Sequence, residues 1–498
     1  MSDYSHDCCD LVVVGAGGSG MIAAAEAARH GLKVVMFEKA PEVGGTTALS
    51  VGTIMAAGTK QQVAAGVQDS ADLHASDLKS ICRSLGVEDD AALRQVLVEN
   101  VADTVEWLRG IGIHFMAPLP QPPHSAARLH QVMPTSRAYV VRLHKHLRDL
   151  GVDIRTATPV GRLLTESGAV VGVEAQGRLG KVVMHARAGV ILASGDMGGD
   201  SQLMRTYMKN WADGAEVYNP MNTGDGHKMA LAIGAGIVPR KDLGFAAAAH
   251  IRFVKPKPTW LQKVPPWPLL TRAMVWAMKH VPQRIIRPFM MRFLTTVLGP
   301  DAGVFQEGAI LVNQRGERIG SENDAPNILI PQQPDGVAYI VFDGKFAKKF
   351  SAWPYFVSTA PGVAFAYVQD YRATRPDLFK VGSTISELAL QSGFDAEKLA
   401  AAIDHANVGR EEEKRLSAGP FYALGPVKTW VLVAPVGLTV NTSFEVLAAD
   451  GRVIPGLYAA GHVGMAGFTM TGHGHGLGWA FTSGRLAAQS CIAYLGKN

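Results

Sequence analysis

Cysteine is scarce in this chain. Its 498 residues hold four, Cys8, Cys9, Cys82 and Cys491, and none falls in a CxxC, CxxCH or zinc-ligand spacing. That excludes a haem or iron–sulfur cluster held by the chain's own thiolates. So few thiols suit a reducing compartment, and the polar, acidic stretch from Met1 to Asp10 does not read as a signal segment. A cytoplasmic location is expected, with Cys8 and Cys9 as two reduced thiols near a strand. No apolar run is long enough to cross a bilayer. The formal net charge of +5 is mild, and no basic run interleaved with aromatics points to nucleic acid.

The sharpest absence is local. Between Gly244 and Pro300 there is no Asp or Glu, while Arg252, Lys255, Lys257, Lys263, Arg272, Lys279, Arg284, Arg287 and Arg292 all fall there. The same stretch holds Trp260, Trp267, Trp276, Phe289 and Phe293, and prolines including Pro268, Pro282 and Pro288 divide it into short helical pieces. Over residues 252–298, cations with tryptophan and bulky apolar side chains fit an element lying in an anionic membrane interface, which would make the protein peripheral on a membrane. A solvated positive face over a hydrophobic lid, or a subunit contact, fits the same residues.

What is present is a large apolar fraction, 47%, enough for more than one globular domain. Near the start, the apolar run Leu11–Val14 precedes Gly15-Ala16-Gly17-Gly18-Ser19-Gly20 and an alanine-rich stretch to Arg29. Strand, tight turn and helix are thus in the order a dinucleotide site needs. Gly15 allows the turn, Gly17 lets the backbone approach a pyrophosphate, and Gly20 lets helix pack on strand, while the helix N-terminus offers N–H groups. A second strand, Lys33–Phe37, ends in Glu38, placed to accept from ribose hydroxyls. Far away, Gly456-Leu-Tyr-Ala-Ala-Gly461 and Gly472-His-Gly-His-Gly-Leu-Gly478 form a second glycine-rich pair.

These segments resemble the FAD-dependent fumarate reductase and ketosteroid dehydrogenase superfamily, as do Lys39 to Gly52 with Gly44-Gly45-Thr46-Thr47 and Ser50, Val190 to Gly195, and Asn222 to Gly226. The resemblance spans nearly the whole chain. It implies an α/β fold: a discontinuous Rossmann-type FAD-binding domain, residues 1–235 and 432–498, with an inserted α+β substrate-capping domain at 236–431. It implies FAD contacts from Gly15, Ala16, Gly17, Ser19, Gly20, Glu38, Lys39, Gly45, Thr46, Thr47, Ser50, Gly52, Val160, Ser194, Gly195, Asp225, Gly461, His462, Gly476 and Leu477. The cofactor should be non-covalent, because no histidine lies between Gly44 and Gly52.

The resemblance also frames the chemistry. Where fumarate reductases carry a histidine and two arginines for the dicarboxylate and the proton, this chain has Val433 or Ala434, Thr471, and Pro326 or Asn327. The stretch Gly472–Ala488 fits the ketosteroid dehydrogenases without a gap, which puts the Gly474 N–H on a substrate ketone as an oxyanion donor. The tyrosines of that branch are replaced by Met470 and the Pro326–Asn327 pair, so Tyr355, Tyr339, Tyr139, His473 and His475 are the remaining proton-handling candidates. Each of them reads equally as a structural tyrosine or loop histidine. The loop His114–His130, with His124 and Arg128, is expected to roof the substrate pocket.

The reading that follows is an FAD-dependent enzyme oxidising a CH–CH bond beside a ketone in a small apolar, alicyclic or steroid-like substrate. Its electrons would pass to an external acceptor such as a quinone. An enone or fumarate-type reductase, and a non-catalytic flavin-binding partner subunit, are the alternatives.

Overall fold

The computed structural model describes residues 6–209, 211, 214–244, 249–254, 265–322, 325–360, 364–470 and 472–496. Leu11, Val12 and Val13 are fully buried, as both faces of a central parallel strand must be. That strand, His6–Val14, pairs in parallel with Val34–Phe37 on one side and with Gly180–Leu192 on the other. Asp153–Arg155 extends the sheet beyond Val34–Phe37, and Val453–Ala459 extends it beyond Gly180–Leu192. An antiparallel excursion, Val160–Glu166 with Ala169–Gly177, folds back onto Gly180–Leu192.

The helix after the first strand, Gly18–Arg29, is buried along most of its length and packs on the last helix, His475–Leu495. Close approach requires a small residue there, since a Cβ added at Gly484 would lie 2.3 Å from the Ser19 carbonyl oxygen. The two ends of the chain are thereby joined in one core.

A second, separate core forms around the strand Phe421–Val431, which pairs with Ala338–Phe342, Ala249–Phe253 and Phe379–Gly382. The chain crosses between the cores where Ile237–Val238 pairs antiparallel with Gly437–Leu438. Met197, Met204, Met208, Ala434 and Val436 make a small apolar cluster nearby.

Helices form at Ala91–Gly110, Arg137–Asp149, Ile385–Ser392 and Ala396–Asn407. Thr384 and Asp395 cap the last two, as their side chains accept from N-terminal N–H groups.

Two sequence expectations need correction. Pro288 does not end a helix: it lies inside Gln283–Val297. The stretch His114–His130 is irregular from 116 to 128, as expected, but its two ends are strands: His114–Phe115 pairs with Leu129–Met133, which also pairs with Thr53–Met55. Lys255, Lys257, Trp260, Lys263 and Thr471 lie outside the described residues.

Candidate active site

At the carboxyl ends of the parallel strands the three glycines of the first turn take different roles. Gly15 has φ +104° and an added Cβ would sit 2.5 Å from the Ala193 carbonyl oxygen, while at Gly20 it would sit 1.9 Å from the Gly15 oxygen. Both are packing requirements. At Gly17 the added atom would meet nothing within 4 Å, so the backbone opens onto empty space where a ligand can approach.

That space is a cavity of about 360 Å³ lined by Gly15, Gly17, Ser19, Glu38, Lys39, Gly45, Thr46, Thr47, Ser50, Val160, Ser194, Gly195, Asp225, His462, Gly476 and Leu477. Segments from across the chain meet there. Ala16, Gly20, Gly52 and Gly461 support it from behind. The Ala16 N–H donates to Glu38 Oε2 at 2.8 Å, Gly52 accepts from the Tyr139 hydroxyl at 2.9 Å, and the Gly461 N–H donates to Ser483 Oγ at 2.8 Å. The last bond removes the Gly461 N–H as a ligand donor.

The lining fits an adenine dinucleotide. Glu38 accepts from the N–H groups of Ala16 and Ala40, yet a carboxylate has about four acceptor sites, which leaves capacity for ribose hydroxyls. Ser194 Oγ is buried without a hydrogen-bond partner. Such an orphan is costly unless a ligand satisfies it. Lys39 is held by Asp225 and Thr223, both at 2.6 Å, so its charge is already matched. Thr47 Oγ1 accepts from the Gly18 N–H at 3.0 Å.

Asn219 and Asn222 also line the cavity, and sequence reasoning missed the part they play. Both amides donate to Thr46 Oγ1, and Asn222 also donates to the buried Asp196 at 2.7 Å. Asp196 in turn faces His462. Burial raises the carboxyl's proton affinity and lowers that of the imidazole, with Asp196 opposing the latter effect. Although Asn222 opens a segment that the resemblance marks, no local pattern gives these bonds, because the partners lie far along the chain.

A group of residues with a different character gathers near the turn Gly472–Gly474, around the strand Ala249–Phe253. His250 and Arg252 alternate on the strand Ala249–Phe253 and therefore share a face. The Arg252 guanidinium lies 5.5 Å from the ring centre of Tyr218, whose hydroxyl donates to the Leu49 carbonyl on the cavity wall at 2.6 Å. Arg252 is close enough to His473 and His250 to depress both, after desolvation as the larger cause. Desolvation also lowers Arg252 itself, and the groups opposing it are the tyrosines Tyr218 and Tyr371. Among the described residues no carboxylate pairs with Arg252. It was counted with the membrane-facing cations in the sequence, and the structure instead turns it into this group.

Asn327, one of the two residues that the sequence sets against the absent arginine, donates to the Ala249 carbonyl at 2.9 Å, beside His250. The Gly474 N–H has no acceptor among the described residues, in a residue at φ +93°. His473 therefore stands with this group, whereas Tyr339 and Tyr355 do not. Tyr339 packs edge-on against Phe394, and Tyr355 sits on Phe350 under Lys349. Both belong to the second core, away from the cavity wall.

Behind the same turn lies a closed polar cluster. His475 and His74, both fully buried, share a hydrogen bond of 2.9 Å between their Nε2 atoms, with the His124 ring 5.3 Å from that of His475. Arg128 is fully buried and bonded to Asp69 and Asp77, each at 2.7 Å. Two carboxylates thus take the charge of Arg128, which speaks for a structural part in the loop over a substrate-facing one. Burial drives His74 well below the ordinary imidazole range, with His475, Arg128 and His124 adding to it.

Comparison with known proteins agrees with this geometry. The family model described as "FAD binding domain" matches residues 10–252 and 288–478. A probable fumarate reductase of Shewanella frigidimarina (strain NCIMB 400) is 27% identical over 508 residues, covering 97% of this chain and 75% of the relative. Among solved structures, a flavocytochrome c3 fumarate reductase in an open conformation superposes with TM-score 0.72 at 24% identity, covering 99% of this chain and 79% of that one. The 3-ketosteroid Δ1-dehydrogenase of Sterolibacterium denitrificans superposes with TM-score 0.68 at 20% identity, covering 98% and 100%. The chain shares its fold with fumarate reductases and ketosteroid dehydrogenases; it belongs to the FAD-binding domain family and is an FAD-dependent oxidoreductase.

Proposed function

We propose that this protein reduces a carbon–carbon double bond conjugated to a carboxylate or a ketone. The observation that carries the reading is Arg252, a desolvated cation stacked on Tyr218 next to the cavity wall, with no carboxylate partner among the described residues. A cation left in that state is completed by an anionic or strongly polar ligand. The similarity to a fumarate reductase over 97% of the chain supports the reductive direction over the ketone oxidation expected from the C-terminal glycines.

Bound FAD supplies hydride chemistry at the double bond. The chain's own residues bind and polarise. Arg252 and the Gly474 N–H hold the substrate's carbonyl or carboxylate oxygen, where negative charge accumulates as the β-carbon accepts hydride. His250 and His473, which are exposed and whose proton affinity desolvation and Arg252 lower, can donate a ring N–H without adding charge. In the sequence, uncharged residues stand where fumarate reductases carry the histidine and arginines for a dicarboxylate (Val433 or Ala434, Thr471, and Pro326 or Asn327), which favours one polar terminus on the substrate over two.

The test is an anaerobic half-reaction. Chemically reduced holoenzyme is mixed with acrylate-type acids, fumarate and cyclic enones while flavin absorbance is followed. Reoxidation by monoacids or enones, weakened about 10- to 100-fold in Arg252→Gln at unchanged FAD content, is the expected result. Bleaching of the oxidised enzyme by saturated ketones, with no reoxidation by any conjugated alkene, would overturn it in favour of the desaturase.

A further inference from the structure

The basic segment that the sequence singled out is not absorbed by the group around Arg252. Beyond Arg252, its described residues include two consecutive helices, Pro268–His280 and Gln283–Val297. Their inward stripes are anchored. Thr271, Met291, Leu294 and Thr295 are buried, Pro266 accepts from Arg142 at 3.0 Å, and Arg287 is ion-paired with Asp370 and bonded to the Phe365 carbonyl.

The outward stripes are not polar, as a surface helix normally requires. Leu269, Ala273, Trp276 and His280 follow one another at helical spacing, and so do Ile285, Phe289 and Arg292. Trp267, Leu269, Trp276, Ile285 and Phe289 each keep between 54% and 80% of their surface exposed. With 150–250 Å² per aromatic side chain, the two tryptophans and the phenylalanine alone present roughly 300 Å² of ring surface, the size at which an exposed patch marks an interaction site.

Charge selects the partner. Arg272 and Arg292 are exposed on these stripes, and no Asp or Glu occurs from Gly244 to Pro300. The field of Arg272 reaches the first domain, where, after desolvation, it is the leading charge that lowers His114. Among the described residues no helix is long and apolar enough to cross a membrane. We infer that the outward faces of Pro268–His280 and Gln283–Val297 dock the protein on the surface of an anionic lipid bilayer, with aromatic rings at headgroup depth and arginines on the lipid phosphates.

Sedimentation of holoenzyme with phosphatidylcholine vesicles, with and without 30% phosphatidylglycerol, tests this directly. Binding should need the anionic lipid, should fall between low and high salt, and should weaken about fivefold per arginine in Arg272→Glu and Arg292→Glu. Trp276→Ser and Phe289→Ser should reduce binding while FAD content and turnover of a water-soluble substrate stay unchanged. A tryptophan emission shift to the blue on anionic vesicles, lost in Trp276→Ser, would place the ring in the interface. Equal binding to neutral and anionic vesicles, or none to either, would overturn the inference. So would a concentration-dependent dimer that Trp276→Ser abolishes, since the patch would then be a subunit contact.

Discussion

The two sides of the Gly472–Gly474 turn use the same residue types under opposite charge balance. Behind it, Arg128 is enclosed by Asp69 and Asp77, and the histidines beside it bond to each other. In front of it, Arg252 faces Tyr218, His250 and His473, with no carboxylate among the described residues. An arginine whose fold supplies the counter-charge is part of the scaffold. One whose fold withholds it is completed by a ligand.

Removing each arginine should break the comparison most clearly. Arg128→Ala strands the fully buried Asp69 side chain, and loss of one partner of a buried pair costs about 3–5 kcal/mol. Urea unfolding should show that loss. Asp69→Asn in the same background should recover part of it. Arg252→Gln should leave the unfolding midpoint nearly unchanged, because no buried carboxylate is orphaned, and should concentrate its effect in ligand binding.

Glu38→Ala separates the cofactor frame from both arginines. The carboxylate accepts from Ala16 and Ala40 and is the assigned ribose partner. Its loss should weaken FAD retention by about 1–3 kcal/mol through unpaired donors, read by titration of apoprotein with FAD. A variant that retains FAD as tightly as the parent would remove Glu38 from the site.

Acid should sharpen the contrast between closed and open histidines. His74 and His227 are held neutral by burial, His227 with a pKa lowered to about 4. Because their folded values lie below the ordinary 6.5, the unfolded chain binds more protons between those limits. The His227 contribution is therefore intact above pH 6.5 and is lost as the pH falls towards 4, by up to about 1.4 kcal/mol per pH unit, and His74 acts in the same direction. Urea titrations at stepped pH measure it, and His227→Gln should flatten the slope. In front of the turn the lever is Arg252 itself. Arg252→Gln should let the His250 and His473 values rise, visible in the pH dependence of their ring NMR signals, while His74 stays put.

The smallest effects belong to the tyrosines. Tyr355→Phe and Tyr339→Phe remove hydroxyls in the second core, away from the cavity wall, and should change turnover less than about twofold. A large loss in either would mean that the second domain closes further over the Arg252 group than the structure shows.

The dinucleotide frame was legible because it is local. Leu11–Val14, the glycine turn and Glu38 lie within one strand–turn–helix–strand unit, and steric demands at Gly15 and Gly20 leave a fixed spacing in the sequence. The group around Arg252 was not legible in the same way. Arg252 reads as one more cation in an acid-free run, and Arg128 reads as a free arginine in a proline-rich loop. Asn219 carries no motif, and the segment that begins at Asn222 does not reveal the partners of either, Thr46 and Asp196, which are set by sheet topology.

By itself, then, the sequence determined the α/β class, the cofactor and the placement of the glycines, because backbone conformation and close packing constrain residue type over a few neighbouring positions. Only the tertiary structure decided which arginine is neutralised, which histidines are closed off and which helix faces stay bare. Those outcomes depend on residues tens to hundreds of positions apart meeting in a low-dielectric space, where one carboxylate gained or withheld changes an arginine from scaffold to binding group.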